Sequence, residues 1–127
     1  MTALFSDAEI LLKLDGLSEE QLDSLTFGVV RMNAGGNVVA YNAFESQLSG
    51  LSPERVLGKH FFSDVAPCTN NYLVASRFED SQEMDDTIDY VFTLRMRATS
   101  VKLRLLKSPR STWQYLLVQP VARADRA

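Results

Sequence analysis

The order of strand-like and helix-like segments constrains the fold of this 127-residue sequence more than any other feature. Segments rich in β-branched and aromatic residues form two groups, and short helical patterns fill the stretch between them. This order predicts an α+β domain in which five antiparallel strands form one sheet and helices occupy the middle of the chain. The predicted strands are residues 27–32, 38–41, 90–94, 101–105 and 115–118.

Turn-forming residues separate the predicted strands. The loop 33–37 contains Gly35 and Gly36 and joins the first two strands as a β-hairpin. Because this glycine pair does not open a helix, it is not interpreted as a phosphate-binding loop. Further turns are expected at residues 98–100 and 108–112.

Two short amphipathic helices are expected before the first strand. Ser6 with Glu9, and Ser18 with Gln21, have the spacing of a capping box, in which two side chains satisfy free N–H groups at the start of a helix. Gly16 is expected to end the first of these helices. Both helices would pack across the start of the sheet as an N-terminal cap.

Helix-start signals recur in the middle of the chain. Asn42 is expected to begin one helix, and Ser52 with Pro53 provides an N-cap residue followed by proline at the first helical position. Residues 72–78 are expected to form one longer helix that ends near an acidic run.

The length and composition fit one globular domain. The apolar content of 46% excludes disorder, and a single cysteine excludes both an intramolecular disulfide framework and a cysteine-rich zinc cluster. We expect one domain that consists of a cap (residues 1–25), a core (26–121) and a polar tail (122–127).

No segment has the pattern of a membrane span or a secretory signal. Uninterrupted apolar stretches, such as residues 115–118, are only a few residues long, whereas a transmembrane helix needs about 20. The first residues carry Asp7 and Glu9, and no basic residue, ahead of their apolar stretch. A cytoplasmic location without membrane insertion is therefore expected.

The charges are unevenly distributed along a chain whose net charge is −3. Six acidic residues lie within residues 79–89, and six basic residues lie within residues 95–110. Because side chains alternate along a strand, Lys102 and Arg104 share one face, which is expected to be solvated. Nucleic-acid binding is not expected of an acidic chain. The acidic run is expected to be a solvated helix end and loop, or a partner surface.

Cys68 is the first candidate for chemistry. A lone cysteine in a cytosolic protein is commonly a small buried apolar residue. Here it follows Pro67 and precedes Thr69 and two asparagines, which are residue types that begin helices. A thiol at a helix N-terminus has a lowered pKa and is acylated more readily, so this context predicts a reactive thiol.

Tyr41 and Glu45 form the second candidate. They lie four residues apart where a strand is expected to pass into a helix, so their polar groups could converge, and the apolar neighbours of Glu45 favour partial burial. His60 is the only histidine, which makes a metal site improbable. A hydrolytic dyad of Cys68 and His60 is conceivable, but no sequence feature places the two in contact.

Taken together, these residues closely resemble the photoactive yellow proteins, a blue-light receptor branch of the PAS domains. The resemblance is carried by Phe27 and Gly28, by residues 37–43, by Glu45, and most specifically by residues 58–69, GKHFFSDVAPCT. It extends over nearly the whole chain, with a slightly shorter region between residues 78 and 90. The PAS architecture that it implies agrees with the predicted order of elements.

The resemblance implies a chromophore, p-coumaric acid, joined as a thioester to Cys68. Its phenolate would be buried against Tyr41 and Glu45, and Ser49 matches a hydroxyl that supports the tyrosine. Met96 matches a methionine that assists thermal return of the chromophore. The positions that wall the pocket in the family are Val30, Phe61, Val65, Ala66, Pro67, Thr69, Phe92, Met96 and Val118.

In the mechanism that this resemblance implies, light isomerises the bound acid and Glu45 donates its proton to the phenolate. A buried phenolate needs strong hydrogen bonds, so Glu45 must be protonated beforehand, and burial beside an anion raises a carboxyl pKa in the required direction. A buried carboxylate left behind costs several kcal/mol. We expect the cap, as the least stable unit, to detach in response.

Two residues depart from the family pattern. Leu51 stands where the family commonly has an arginine that covers the chromophore, and Leu94 stands where a tyrosine is common. Both differences should change recovery kinetics and colour more than retention of a chromophore.

The resulting prediction is a blue-light sensor without catalytic activity, monomeric or weakly dimeric, that signals to an unidentified downstream protein. One alternative is a PAS-type interaction or small-ligand module without the chromophore. Another is an acyl-transfer enzyme that uses the Cys68 thiol.

Overall fold

The computed structural model describes residues 3–94 and 97–121, without the side chain of Leu94. Met96, expected in the pocket, and the expected tail 122–127 lie outside the described residues. The regular elements in chain order are α1 (Ile10–Asp15), α2 (Glu19–Asp23), β1 (Gly28–Met32), β2 (Val38–Tyr41), α3 (Ala43–Ser49), α4 (Pro53–Val56), α5 (Ala75–Asp80), β3 (Met84–Leu94), β4 (Arg97–Lys107) and β5 (Gln114–Pro120). A π-helical segment (Phe61–Val65) and a 3-10 turn (Pro67–Thr69) lie between α4 and α5.

The five strands form one antiparallel sheet in the order β2-β1-β5-β4-β3. The α+β prediction is therefore confirmed, as is the hairpin that joins β1 to β2 across residues 33–37. The strands β3 and β4 are longer than predicted, with 11 residues each. Residues 98–100, predicted as a turn, are paired with residues 91–93 in this β3–β4 ladder, so that turn prediction is wrong.

Two apolar clusters cover the two faces of the sheet. The inner cluster lies between the sheet and the segment from α4 to α5, and it includes Val30, Leu103 and Val118. The cap-side cluster lies between the other face and the N-terminal helices, and it includes Val29 and Leu117. Adjacent strand residues thus enter opposite clusters, as the two-residue period of a strand requires. The sheet therefore separates the inner cluster from the residues that pack against the N-terminal helices.

The cap is held by charged side chains as well as by apolar packing. Arg104 is 7% exposed; its Nε and Nη2 each donate to the Asp85 carboxylate at 2.7 Å, and its Nη1 donates to the carbonyl oxygens of Phe5 and Asp7 at 2.8 Å. The expectation that the basic face of β4 is solvated is therefore wrong for Arg104. This guanidinium links the sheet to the chain ahead of α1.

A second arginine holds the end of α1. Arg31 donates to the carbonyl oxygen of Leu14 at 2.8 Å and to the hydroxyl of Tyr115 at 2.9 Å. The same hydroxyl donates to Asp15 at 2.6 Å. Both ends of the first helical region are thus tied to the sheet through hydrogen bonds.

Of the two capping boxes predicted in the N-terminal region, one is confirmed and the other is wrong. Ser18 and Gln21 form the predicted capping box at α2, and Gly16 ends α1 as expected. The Ser6–Glu9 box does not form, because Glu9 adopts a left-handed backbone with φ 53° and α1 starts only at Ile10. Asp7 instead accepts the N–H of Leu4 at 2.9 Å and closes a turn before the helix.

The helix predicted over residues 72–78 forms, but it is shifted to Ala75–Asp80, where it ends in the acidic run as expected. The side chain of Asn71 accepts the N–H groups of Leu73 and Val74 at 3.0 and 3.1 Å, which folds these residues into a turn. Such local side-chain bonds compete with helix formation. The helix α5 therefore starts later, at Ala75.

The acidic run is not a loop over its whole length. Residues from Met84 onward belong to β3, and Asp89 faces Lys102 across the ladder, with the carboxylate and ammonium groups 2.7 Å apart. Asp86 accepts from Arg77 at 3.0 Å. Cross-strand and helix-to-strand ion pairs thus place aspartates in a strand that their low β-propensity does not favour.

We expect Arg104→Leu to lower the free energy of unfolding by about 1.5–3 kcal/mol, the range for hydrogen bonds to charged groups. The matched variant Lys102→Leu, on the same face of β4, removes an exposed ion pair and should cost less than about 1 kcal/mol. Urea unfolding measures both values, and amide exchange in α1 reports whether the cap loosens. Equal losses in the two variants, or unchanged exchange in Arg104→Leu, would contradict the anchoring role.

Candidate functional site

The start of α3 is fixed by one buried side chain. Asn42 is 2% exposed, and its Oδ1 accepts the N–H groups of Val29 at 2.9 Å and of Glu45 at 3.0 Å. Its Nδ2 donates to the carbonyl oxygens of Leu22 and Phe27 at 2.8 and 3.0 Å. The predicted helix start at Asn42 is confirmed. The amide also joins α3 to β1 and α2, which fixes the backbone from which the side chains of Tyr41 and Glu45 project.

Tyr41 and Glu45 project from this junction into the interior. The hydroxyl of Tyr41 donates to Oγ of Ser49 at 2.8 Å and also interacts with the Glu45 carboxyl. Glu45 is 4% exposed, and its Oε1 has no hydrogen-bond partner among the described residues. The convergence expected from their four-residue spacing therefore occurs, and burial of Glu45 is nearly complete.

Burial governs the acid–base state of this pair. Desolvation raises the pKa of Glu45 to about 8, against a smaller lowering by the neighbouring Tyr41 hydroxyl. The pKa of Tyr41 is also raised, first by burial and then by the neighbouring Glu45. Both groups are thus predominantly protonated at neutral pH, and a buried neutral carboxylic acid can donate a hydrogen bond as well as accept one.

Most of the expected wall residues meet beside this pair. Val30, Phe61, Phe92 and Val118 are buried in the inner cluster with Tyr41. Val65 and Ala66 are half-buried and pack against the same cluster, and Thr69 is buried, with its hydroxyl donating to the Ala66 carbonyl oxygen at 2.7 Å. Pro67 and Cys68 are exposed. The apolar wall residues therefore lie together in the interior, and Cys68 lies at the surface edge of this cluster.

The turn that carries Cys68 is tied to β3. The carbonyl oxygen of Cys68 accepts from the Tyr90 hydroxyl at 2.7 Å and from Nδ2 of Asn71 at 3.1 Å. The Tyr90 ring packs edge-on against Phe92, with centroids 5.4 Å apart. Sequence reasoning missed Tyr90 and Asn71, because only pairing across the fold reveals their common partner. These two side chains hold the turn against the wall of the site.

The expected activation of the Cys68 thiol by a helix N-terminus is wrong. Cys68 lies inside the 3-10 turn Pro67–Thr69, and no regular helix begins there. Partial burial of the thiol raises its pKa, against a smaller lowering by a backbone hydrogen bond. Acylation of this cysteine would therefore depend on an activated acyl donor or on higher pH.

The structure gives no support to a Cys68–His60 dyad. His60 instead caps the π-helical segment, because its Nδ1 accepts the N–H of Ser63 at 3.2 Å. Within residues 3–94 and 97–121, no group of three metal-ligating side chains occurs. Over the same residues, no helix is both long and apolar enough to cross a membrane.

Solved structures place the fold in a known class. PAS domains of 12–16% sequence identity share the architecture, with TM-scores of 0.55–0.61. At this identity they show the fold alone. The fold is therefore that of PAS domains, as the resemblance implied.

More similar proteins define the family, although no family model matches the chain. A photoactive yellow protein of Rhodothalassium salexigens is 32% identical over 92% of this chain and 96% of its own length. That of Halochromatium salexigens is 36% identical over 82% of this chain and 86% of its own length. The photoactive yellow protein domain of the sensor histidine kinase Ppr from Rhodospirillum centenum is 34% identical, with a TM-score of 0.78, and the match covers 84% of this chain and 96% of that domain.

The chain belongs to the photoactive yellow protein family. It is a PAS module of the photoreceptor-like, sensory type, and modules of this type generally transmit signals and do not catalyse reactions.

The free energy of unfolding should fall as the pH rises from about 4.5 to about 8, because unfolded Glu45 ionises near 4.5 and the folded one only near 8. Below this window both states hold the proton and the contribution is fully present; above it, on the order of a few kcal/mol is lost. Urea unfolding across the window measures the slope. Glu45→Gln cannot ionise and should flatten it, so identical slopes in the two proteins would contradict the assignment.

Proposed function

We propose that the protein is a blue-light receptor that carries p-coumaric acid as a thioester on Cys68. The observation that carries the proposal is the buried Glu45 carboxyl, which interacts with Tyr41 and whose Oε1 has no hydrogen-bond partner among the described residues. A buried polar atom without a partner costs free energy that a ligand hydroxyl or phenolate at this point would recover.

The described residues fit such a chromophore. Tyr41 and Glu45 would hold the phenolic end through their hydroxyl and carboxyl groups, and the apolar residues Val30, Phe61, Phe92 and Val118 would enclose the ring. Val65, Ala66, Pro67 and Thr69 would line the stretch toward the thiol. Cys68, the only cysteine, supplies the sulfur for the covalent bond.

When bound, the conjugated acid would supply absorption of blue light and photoisomerisation of its double bond. The protein holds the proton of the site on the Glu45 carboxyl, which is kept neutral by burial. Ser49 Oγ lies 2.8 Å from the Tyr41 hydroxyl and, being a hydroxyl itself, can donate to Tyr41 when Tyr41 donates to the phenolate. Loss of the Glu45 proton would leave a buried carboxylate, whose cost of several kcal/mol compares with the total stability of a domain, about 5–15 kcal/mol.

The signal would leave through the cap. Asn42 contacts the N–H of Glu45 and the carbonyl oxygen of Leu22 in α2, so displacement of Glu45 acts on a residue that also holds the cap. A sensor histidine kinase contains the similar photoactive yellow protein domain of Rhodospirillum centenum. We therefore infer that the downstream partner is a signalling protein. We also propose that the protein is cytoplasmic and that its function involves no nucleic acid, membrane insertion or catalysis.

Mixing the apoprotein with activated p-coumaric acid should give a yellow adduct that bleaches after a blue flash and returns in the dark. Visible absorption measures each step. Cys68→Ala should form no adduct, and Glu45→Gln should form one with an altered absorption maximum, because a weaker amide donor replaces the acid. A wild-type protein that takes up no chromophore would overturn the proposal in favour of a PAS ligand or interaction module, and turnover of the acyl donor would indicate an acyl-transfer enzyme.

Illumination of the loaded protein should accelerate amide exchange in residues 3–25 more than in the strands, because short helices docked by few contacts open at the lowest cost. Mass spectrometry of dark and lit samples measures the difference. Illuminated Cys68→Ala provides the control and should not change. Light-induced exchange confined to segments outside the cap would show that the signal leaves elsewhere.

A further inference from the structure

The backbone conformation at Gly28 does not require a glycine. It opens β1 and pairs with Val118 of β5 in the antiparallel ladder. Gly36, Gly50 and Gly58 have positive φ angles, but Gly28 does not, so its conformation is open to other residues. Strands favour β-branched and aromatic residues, and a glycine inside one often marks a place where another group approaches closely.

The approaching group is the side chain of Glu45. A β-carbon at position 28 would lie 2.0 Å from Oε1 of Glu45, 3.1 Å from its Cδ and 3.3 Å from its Cβ. The first distance is far below van der Waals contact. The carboxyl of Glu45 therefore occupies the volume that any other residue at position 28 would fill.

Two further observations give this contact a role. The atom nearest to a β-carbon added at position 28 is Oε1, the same buried atom that has no hydrogen-bond partner among the described residues. The backbone of Glu45 is held by Asn42, so its side chain can avoid an obstacle only by rotating. A residue larger than glycine would therefore displace the carboxyl by rotation, and at the Glu45 Cβ, 3.3 Å from the added carbon, the helix would give by only a few tenths of an ångström.

We propose that Gly28 is a positioning residue for the Glu45 carboxyl, which it admits against β1 so that Oε1 is presented to the phenolic end of the bound chromophore. The proposal deepens the proposed function and rests on it for the identity of the ligand. The carboxyl position itself is a property of the protein alone, and it can be measured without the chromophore.

The residues next to Gly28 on the inner face are larger, so the Glu45 carboxyl can approach β1 at position 28. Val30 follows it on the inner face of β1, and Val118 pairs with it on β5, so both adjacent inner positions carry branched side chains. Tyr41 is the titratable group that interacts with Glu45 there. With alanine at position 28, the carboxyl would leave this enclosed place and the contact with Tyr41.

The test compares Gly28→Ala with the matched variant Gly16→Ala. At Gly16 the nearest atom to an added β-carbon is the Lys13 carbonyl oxygen at 3.6 Å, which is ordinary contact. In the apoprotein, a ¹³C-carboxyl NMR titration, assigned with Glu45→Gln, should place Glu45 near its pKa of about 8 in wild type and Gly16→Ala. In Gly28→Ala the proton should bind at least about tenfold more weakly, because the displaced carboxyl is better solvated. A folded Gly28→Ala with an unchanged or tighter proton affinity overturns the proposal.

A second variant covers failure of Gly28→Ala to fold. In Gly28→Ala/Glu45→Asp the carboxyl is one methylene shorter and withdraws from the added β-carbon. Circular dichroism and urea unfolding should show that this double variant is more stable than Gly28→Ala. No recovery would mean that Glu45 is not what excludes a side chain from position 28, which also overturns the proposal.

The loaded protein gives an independent reading. The dark absorption maximum should shift in Gly28→Ala and stay unchanged in Gly16→Ala; equal maxima in all three proteins contradict the positioning role. If the wild type forms no adduct, the proposed function fails, while the titration of the apoprotein still decides the role of Gly28.

Discussion

The buried amide of Asn42 is the interaction on which the arrangement of the molecule depends. It satisfies four backbone groups in α2, in the stretch that leads into β1, in β1 itself and in α3, and it is inaccessible to water. Removing it would leave several buried polar groups unpaired, each at a cost of about 1–3 kcal/mol. Because Tyr41 precedes Asn42 and Glu45 follows it by three residues, the geometry of the proposed site derives from this residue. The cap shares the same support through Leu22.

The sheet separates two environments that differ in their polar chemistry. On the inner face Glu45 is buried, has no ionic partner in the part of the chain that the structure describes, and its pKa rises. On the other face, Arg104 and Arg31 donate to backbone carbonyl oxygens of the N-terminal region, which anchors that region without a buried unpaired charge. One side thus keeps a protonated carboxyl in an enclosed place, and the other anchors the N-terminal segment through arginine hydrogen bonds. The strands between them, with Asn42 at their edge, connect the two.

Features that depend on residues close together in the sequence were predicted correctly in several cases. The hairpin, the capping box at Ser18, the helix start at Asn42 and the meeting of Tyr41 with Glu45 each depend on residues a few positions apart. Several errors lie where distant residues decide: Arg104 is buried by the cap, and Asp85 and Asp89 are paired with side chains of β4. Others are local, because Glu9 leaves the helical backbone before α1 and the Asn71 side chain closes a turn before α5. The raised pKa of Cys68 and the bond from Tyr90 to its carbonyl oxygen likewise depend on how the turn packs. The space at Gly28 was invisible in the sequence, because it is defined by a side chain that folding brings to it.

The hydrogen bonds from Tyr90 and Asn71 reach the main-chain carbonyl of Cys68 and leave its sulfur alone. The turn is therefore shaped by groups that do not change when the thiol is acylated. Acylation under the proposed function would therefore leave the hydrogen bonds of the turn in place. Under the proposed function, loading would be one acyl transfer at the Cys68 sulfur, in which the thiol loses its proton and the activated donor loses its leaving group.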